Sequence, residues 1–263
     1  IKLYNMRTLI LFLLTLMLSS QVSFASTIDM FLMSNDHEIQ TQSNIQDRIM
    51  NAFMNSFVVQ NNSEMVALID EISSSYDNSK NTIFLYWKGY AYYYNSIIFL
   101  KTNDKKKAQE ELNKGIKALE SIKTKNSEDY ALLSMLYSFS CQFLGFPDVI
   151  KASKQATNCI DKSLKLDENN LRAYYVLANN DYYTPETYGG GSIVEENLLK
   201  AISLPPQRIN NPYLPSWGRQ ESFELLTSFY LKKKDKENAR KYIELGLAEY
   251  PDSYTLKYNK SKL

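Results

Sequence analysis

The sequence has only one histidine, two cysteines, eight glycines and seven prolines in 263 residues. The single imidazole, His37, falls in a polar stretch expected to be a poorly ordered lead-in, which removes a Ser-His-Asp triad, a Cys-His pair and most zinc sites. Cys141 and Cys159 lack a base to activate them. Both sit in apolar helical patterns, which raise a thiol's pKa and leave it inert. Scarce Gly and Pro argue against a sheet sandwich, which needs frequent turn breakers, and in favour of long helices. Neither sign of charge is in excess, the formal net charge being +1. A nucleic-acid surface needs clustered surplus Lys and Arg. The basic run Lys105-Lys106-Lys107 after Asp104 reads as the solvent-facing start of a helix.

Long hydrophobic runs are also few. The one that stands out, Leu9 to Leu18, follows Met6-Arg7 and precedes Ser23-Phe24-Ala25. A short positive region, an apolar stretch and small residues at a cleavage site form a secretory leader. The run is shorter than the ~20 apolar residues that span a bilayer. The sequence thus predicts a leader over 1–25, with 1–5 upstream of the natural start at Met6, and a periplasmic or secreted mature chain. Lys2 and Arg7 fall in that leader and no acid does, so the mature charge is +1 − 2 = −1. Residues 26–45 are polar without a clean period and are expected to be a poorly ordered lead-in.

What the chain does have is helical periodicity. Phe223, Leu226 and Tyr230 form one apolar stripe; Lys232-Lys233-Lys234-Asp235 makes a turn; Ala239, Ile243, Gly246 and Leu247 form a second stripe, stopped by Pro251. The spacing of the second stripe recurs at Ala108, Leu112, Gly115, at Ala156, Ile160, Ser163, at Val194, Leu198, Ala201 and, in degenerate form, at Met65, Ile69, Ile72. Small residues at these positions let paired helices approach, and a recurring hairpin that cannot bury its own face marks a solenoid. Cys141 and Cys159 fall on the two arms of the hairpin that turns near Gly145-Phe146-Pro147. At ~1.5 Å rise per residue their levels differ by ~12 Å, beyond the ~7 Å a disulfide spans. Two buried thiols are expected.

These residues, with Leu171-Arg172-Ala173-Tyr174-Tyr175-Val176-Leu177-Ala178, resemble tetratricopeptide repeats over roughly 46–262. Segments 182–191 and 204–216 read as insertions. Their motifs, Tyr183 to Gly191 and Pro212 to Gly218, resemble segments of exported bacterial tetratricopeptide proteins of unknown activity. The resemblance implies fold and compartment and carries no chemistry.

Gly189–Gly191 lacks the following Lys of a phosphate loop and leads into Glu195-Glu196, so a structural turn fits better. The acid pairs Glu110-Glu111, Glu128-Asp129 and Glu195-Glu196 are adjacent on helices, not convergent across a cleft as glycoside hydrolysis needs. Tyrosine is abundant, at 20 residues. Tyr86, Trp87 and Tyr90 are expected in the core, Tyr92, Tyr93 and Tyr94 at its boundary, and Tyr174, Tyr175, Tyr182, Tyr183 and Tyr188 form a second cluster. Tyr combines apolar area with a hydrogen-bonding tip, which suits binding surfaces. The expected fold is all-α: about ten helices in five antiparallel hairpins forming an α-α superhelix over 46–263. The expected function is non-catalytic binding of a protein or peptide on the concave face, with candidate contacts Tyr93, Asn95, Tyr137, Asn179, Tyr182 and Tyr183. No catalytic residue, cofactor, metal, nucleic acid or stable membrane insertion is expected. A small-ligand or glycan receptor is the alternative, and its discriminating feature would be a closed aromatic pocket roofed by 182–191 and 204–216.

Overall fold

The computed structural model describes residues 44–205 and 211–263. The expected leader, nearly all of the expected lead-in and His37 lie outside the described residues. Within them the chain forms α1 (Ile45–Val59), α2 (Ser63–Ser79), α3 (Ile83–Lys101), α4 (Lys105–Glu120), α5 (Ser127–Ser140), α6 (Asp148–Leu166), α7 (Leu171–Tyr183), α8 (Val194–Ser203), α9 (Arg219–Lys232), α10 (Lys236–Glu249) and α11 (Tyr254–Lys260). No strand occurs among the described residues.

Helix starts are written in Asn, Asp and Ser, whose side chains accept from the otherwise unpaired first-turn N–H groups. Asn44 caps α1, Asp104 α4, Asn170 α7, Asp235 α10 and Ser253 α11. Asn126 and Asp129 cap α5 reciprocally. Lys105 to Lys107 form the exposed first turn of α4, as the sequence predicts.

Consecutive helices pair as hairpins: α1 with α2, α3 with α4, α5 with α6, α7 with α8 and α9 with α10. The recurring small–large–small stripes face inward within these pairs. Ala108, Leu112, Val194, Leu198, Ala201, Ala239 and Ile243 are all fully buried. Gly246 sits where a β-carbon would come within 2.7 Å of Leu256 and 3.1 Å of Phe223. Leu256 belongs to α11, a helix beyond the ten expected, which covers the last hairpin. The first hairpin carries the degenerate copy as predicted, with Met65, Ile69 and Ile72 buried on α2.

Stacking between hairpins is not purely apolar. Asn170, at the start of α7, donates to Ser127 Oγ of α5 at 2.8 Å, and within the α5–α6 hairpin the Ser163 hydroxyl donates to the Ser127 carbonyl at 2.7 Å. These groups are buried, so each needs such a partner. Cys141 and Cys159 are both free thiols, but only Cys159 is buried as expected, Cys141 being half-buried beside the hairpin turn. The Cys141 sulfur lies against the Val149 carbonyl at the start of α6, well short of Cys159. Burial pushes the Cys159 thiol up to about 11 and raises Cys141 too.

The two segments read as insertions have different fates. After α7 the chain turns locally: the Gly191 N–H donates to the Asp181 carbonyl and the Ile193 N–H to the Asp181 carboxylate at 2.8 Å. A β-carbon on Gly190 would lie 1.8 Å from the Thr184 carbonyl oxygen, so this tight turn requires glycine. The glycine run is therefore a turn into α8, as expected. The second segment, between α8 and α9, crosses back to the first and second hairpins over residues 211–218, and we call it the strap. The Ile45 N–H donates to the Pro212 carbonyl, and Trp87 Nε1 donates to the Tyr213 carbonyl at 2.8 Å. Gln46 Oε1 accepts from the Ser216 and Trp217 N–H groups, and Trp217 Nε1 donates to the Tyr86 hydroxyl at 2.7 Å.

Candidate functional site

The strap is locked from α7. Arg172, only 1% exposed, forks onto the Glu128 carboxylate through Nε and Nη2. Its Nη1 donates to the Pro215 and Trp217 carbonyls at 3.3 and 3.1 Å. One guanidinium thus joins α5, α7 and the strap. With the strap in place, Trp217 stacks on Tyr90 at a centroid distance of 5.9 Å and meets Tyr175 edge-on at 6.1 Å. Trp87, Tyr86 and Tyr90 are therefore core, as their sequence pattern predicts, with exposures of 0, 0 and 1%.

Beyond Trp217 the neighbouring first helices α3, α5, α7 and α9 present an inner face of side chains that are only partly buried. From α3 come Tyr94, whose hydroxyl pairs with that of Tyr90 at 3.3 Å, and Tyr93, whose ring packs at 4.9 Å on Phe139 of α5. Tyr175, Asn179 and Tyr183 recur every fourth residue of α7 and so share one helix face. Tyr183 adjoins Tyr182, which packs against Phe229 of α9 and lies under the Lys232 ammonium. The α9 contribution is Glu221 and Glu224, one turn apart. Among the described residues, the hydroxyls of Tyr93, Tyr175 and Tyr183 and the amide of Asn179 have no hydrogen-bond partner, and none of them is sealed from water.

Electrostatics tie these side chains together. Burial raises the Tyr175 hydroxyl well above its ordinary range, and the Glu221 charge adds to it, followed by Tyr93, Tyr183 and Tyr94. Burial likewise raises Tyr94, with Glu221 and Glu224 contributing. Burial, reinforced by neighbouring Glu224, pushes the Glu221 carboxyl up to about 7. Against it work its own backbone N–H, the Gly218 N–H, which donates to Glu221 Oε2 at 2.6 Å, and the Arg172 charge. Burial raises Glu224 as well, although its Oε1 accepts from Gln220 and from Ser253. The face thus offers fixed phenol donors, π-faces and two partly desolvated acids.

Of the six residues expected to meet a partner, Tyr93, Asn179, Tyr182 and Tyr183 reach this face or its rim, and two do not. Asn95 is buried between helices, donating to Glu111 Oε2 at 2.8 Å and accepting from Asn62. Tyr137 is buried too, and its hydroxyl donates to the Glu120 carboxylate. Both expectations placed these residues by helix position alone. On α3 and α5, which are covered on most sides, position along the helix does not fix which neighbour a side chain meets. Tyr94, Tyr175, Glu221 and Glu224 were not among the candidates. The four-residue spacing of Tyr175, Asn179 and Tyr183 was the available signal; the two acids resemble ordinary surface glutamates in sequence.

Paired antiparallel helices repeat, with small residues at each close approach and the first helices side by side. The fold is tetratricopeptide-like. No family model and no curated protein matches the chain. Among solved structures it is similar to the crystal structure of YrrB, described as a TPR protein with an unusual peptide-binding site. The identity is 14%, the match covers 80% of this chain and 98% of that one, and the TM-score is 0.39. At that level of likeness the site is read from this chain alone. No group of three or more His, Cys, Asp or Glu placed to hold a metal occurs among the described residues, and no described helix is long and apolar enough to cross a membrane.

Proposed function

We propose that this protein is a non-catalytic scaffold of the bacterial cell envelope that holds a protein or peptide segment on its inner face. The observation that carries the reading is the row of unpartnered Tyr and Asn groups on helices held rigid by the hairpins and the strap. Unpaired donors and acceptors on a fixed scaffold suit an extended backbone, and aromatic rings supply most of the affinity in such interfaces. Glu221 and Glu224 project from one turn of one helix, an arrangement suited to recognition and unlike acids flanking a bond from opposite sides. Selection of a displayed peptide library on residues 26–263 tests the reading. Enriched peptides should lose binding to the Tyr93→Ala/Tyr183→Ala variant while its circular dichroism is unchanged. Failure to enrich any peptide would overturn it.

A small-ligand or glycan receptor is the second reading, favoured by Trp217 of the strap, which sets a further aromatic ring beside Tyr90 and Tyr175. A glycan array on the same protein separates the two. The envelope assignment is also a proposal, supported by Arg7, the apolar run Leu9–Leu18 and the small residues up to Ala25. N-terminal sequencing of the exported protein should begin at Ser26.

A further inference from the structure

We propose that the inner face selects basic segments, seating a lysine or arginine side chain of the bound peptide between the Tyr94 and Tyr175 rings and the carboxyls of Glu221 and Glu224. This inference rests on the scaffold reading above and names the chemistry of its occupant.

The first argument is charge. Neither Glu221 nor Glu224 is in an ion pair among the described residues. Glu221 uses one oxygen to cap α9 through the Gly218 N–H. Glu224 receives both of its hydrogen bonds on Oε1, from Gln220 and Ser253. Oε2 of Glu224 is thus left without a protein donor, and Glu221 is met only by backbone N–H groups at the start of α9. Arg172, the cation whose charge acts on Glu221, is engaged with Glu128 and the strap carbonyls. Two acids one turn apart in a partly desolvated site repel each other, and an incoming cation relieves that repulsion.

The second argument is the surroundings. Tyr94 and Tyr175 are electrostatic neighbours of Glu221 from two different helices. Aromatic faces next to carboxylates make a cage for an ammonium or guanidinium group. An acidic peptide would meet like charge, and a neutral one would leave both acids unpaired. The third argument is extent. Tyr175, Asn179 and Tyr183 continue along α7 at a spacing of ~6 Å per pair, with their polar tips unpartnered. A lone amine would leave this row unused, whereas a peptide backbone reaches along it.

Binding should also follow pH. The groups facing Glu221 are Tyr90 and Tyr94 from α3, Arg172 and Tyr175 from α7, Tyr250 after α10, and Glu224 on its own helix. With Glu221 at about 7, a bound cation favours loss of its proton, so affinity rises from pH 6 to pH 8.

Calorimetric titration of the mature chain with acetyl-(Gly-Lys)4-amide, its Arg and Glu counterparts, acetyl-(Gly-Ser)4-amide and spermidine tests this. The Lys and Arg peptides should bind, with affinity reduced about tenfold or more in Glu221→Gln/Glu224→Gln and in Tyr175→Ala. Glutamine keeps the cap on α9, and the single Glu224→Gln variant guards against a folding defect. The pH dependence should vanish in Glu221→Gln. Equal binding of the Ser or Glu peptide, with Tyr175 still required, would overturn the selectivity and leave the scaffold reading standing. Equal affinity for spermidine would overturn the peptide as occupant. Unchanged affinity in the double Gln variant would overturn the assigned acids, and no binding of any peptide would overturn both readings.

Discussion

At Gly218 the strap becomes α9 through a backbone φ of +105°. A β-carbon there would also come within 2.8 Å of Arg172 and 2.9 Å of Leu171. Strain and crowding act together, so Gly218→Ala should lose roughly 1–3 kcal/mol in urea unfolding. Three residues on, Glu221 has a folded pKa of about 7 against an ordinary 4.5. The folded state therefore binds the extra proton, and this group's contribution to stability falls as pH rises from about 4.5 to 7. Glu221→Gln keeps the cap and removes the titration. The variant should match the parent near pH 4 and exceed it by roughly 1–3 kcal/mol at pH 8, the upper end applying without solvent screening. Urea melts across this range decide it; a constant difference between the two proteins would contradict the raised carboxyl.

Arg172 and Gln46 each hold the strap through two hydrogen bonds, and Arg172 alone of the two also carries a buried charge pair. Removing a partner from a buried, hydrogen-bonded charge pair costs about 3–5 kcal/mol because the other charge is left without compensation. Arg172→Ala should do so through Glu128 and should also free the strap. Trp217 and Trp87 are the only two tryptophans, and both are buried against the strap or its contacts. Their emission should shift to longer wavelength in this variant, while helical circular dichroism is largely kept. The hairpins were legible because their grammar is local: Ala239, Ile243 and Gly246 share one helix face that meets the adjacent helices, as Gly246 meets Phe223 and Leu256, and the pattern repeats. The strap was not, because nothing near Pro212 or Trp217 in sequence indicates that Trp87 and Gln46 receive them. Segment 204–216 could be seen as an insertion, but not where it goes. The roles of Asn95 and Tyr137 were misassigned for a related reason: α3 is apolar around most of its circumference, which erases the phase that normally tells inside from outside.

Across the whole molecule, a stack of hairpins with neighbour-only contacts would unfold piecemeal. The strap adds hydrogen bonds across 170 and 171 residues, from Ser216 and Trp217 to Gln46. It couples the first hairpins to the last. The parent chain should therefore show coincident urea transitions by tryptophan fluorescence and circular dichroism, and Gln46→Ala/Trp217→Ala should separate them. Coincidence in both proteins would mean the hairpins are coupled without the strap. The same long-range closure orders events in time. The N-terminal hairpins emerge first from any machinery that delivers the chain end-on, yet the indole N–H of Trp87 waits for a carbonyl 126 residues later. Until that segment arrives, the aromatic surface of α3 is uncovered. A chaperone holding the half-delivered chain would find its attachment point there, and would be displaced by residues 212–217 at the step that completes the inner face.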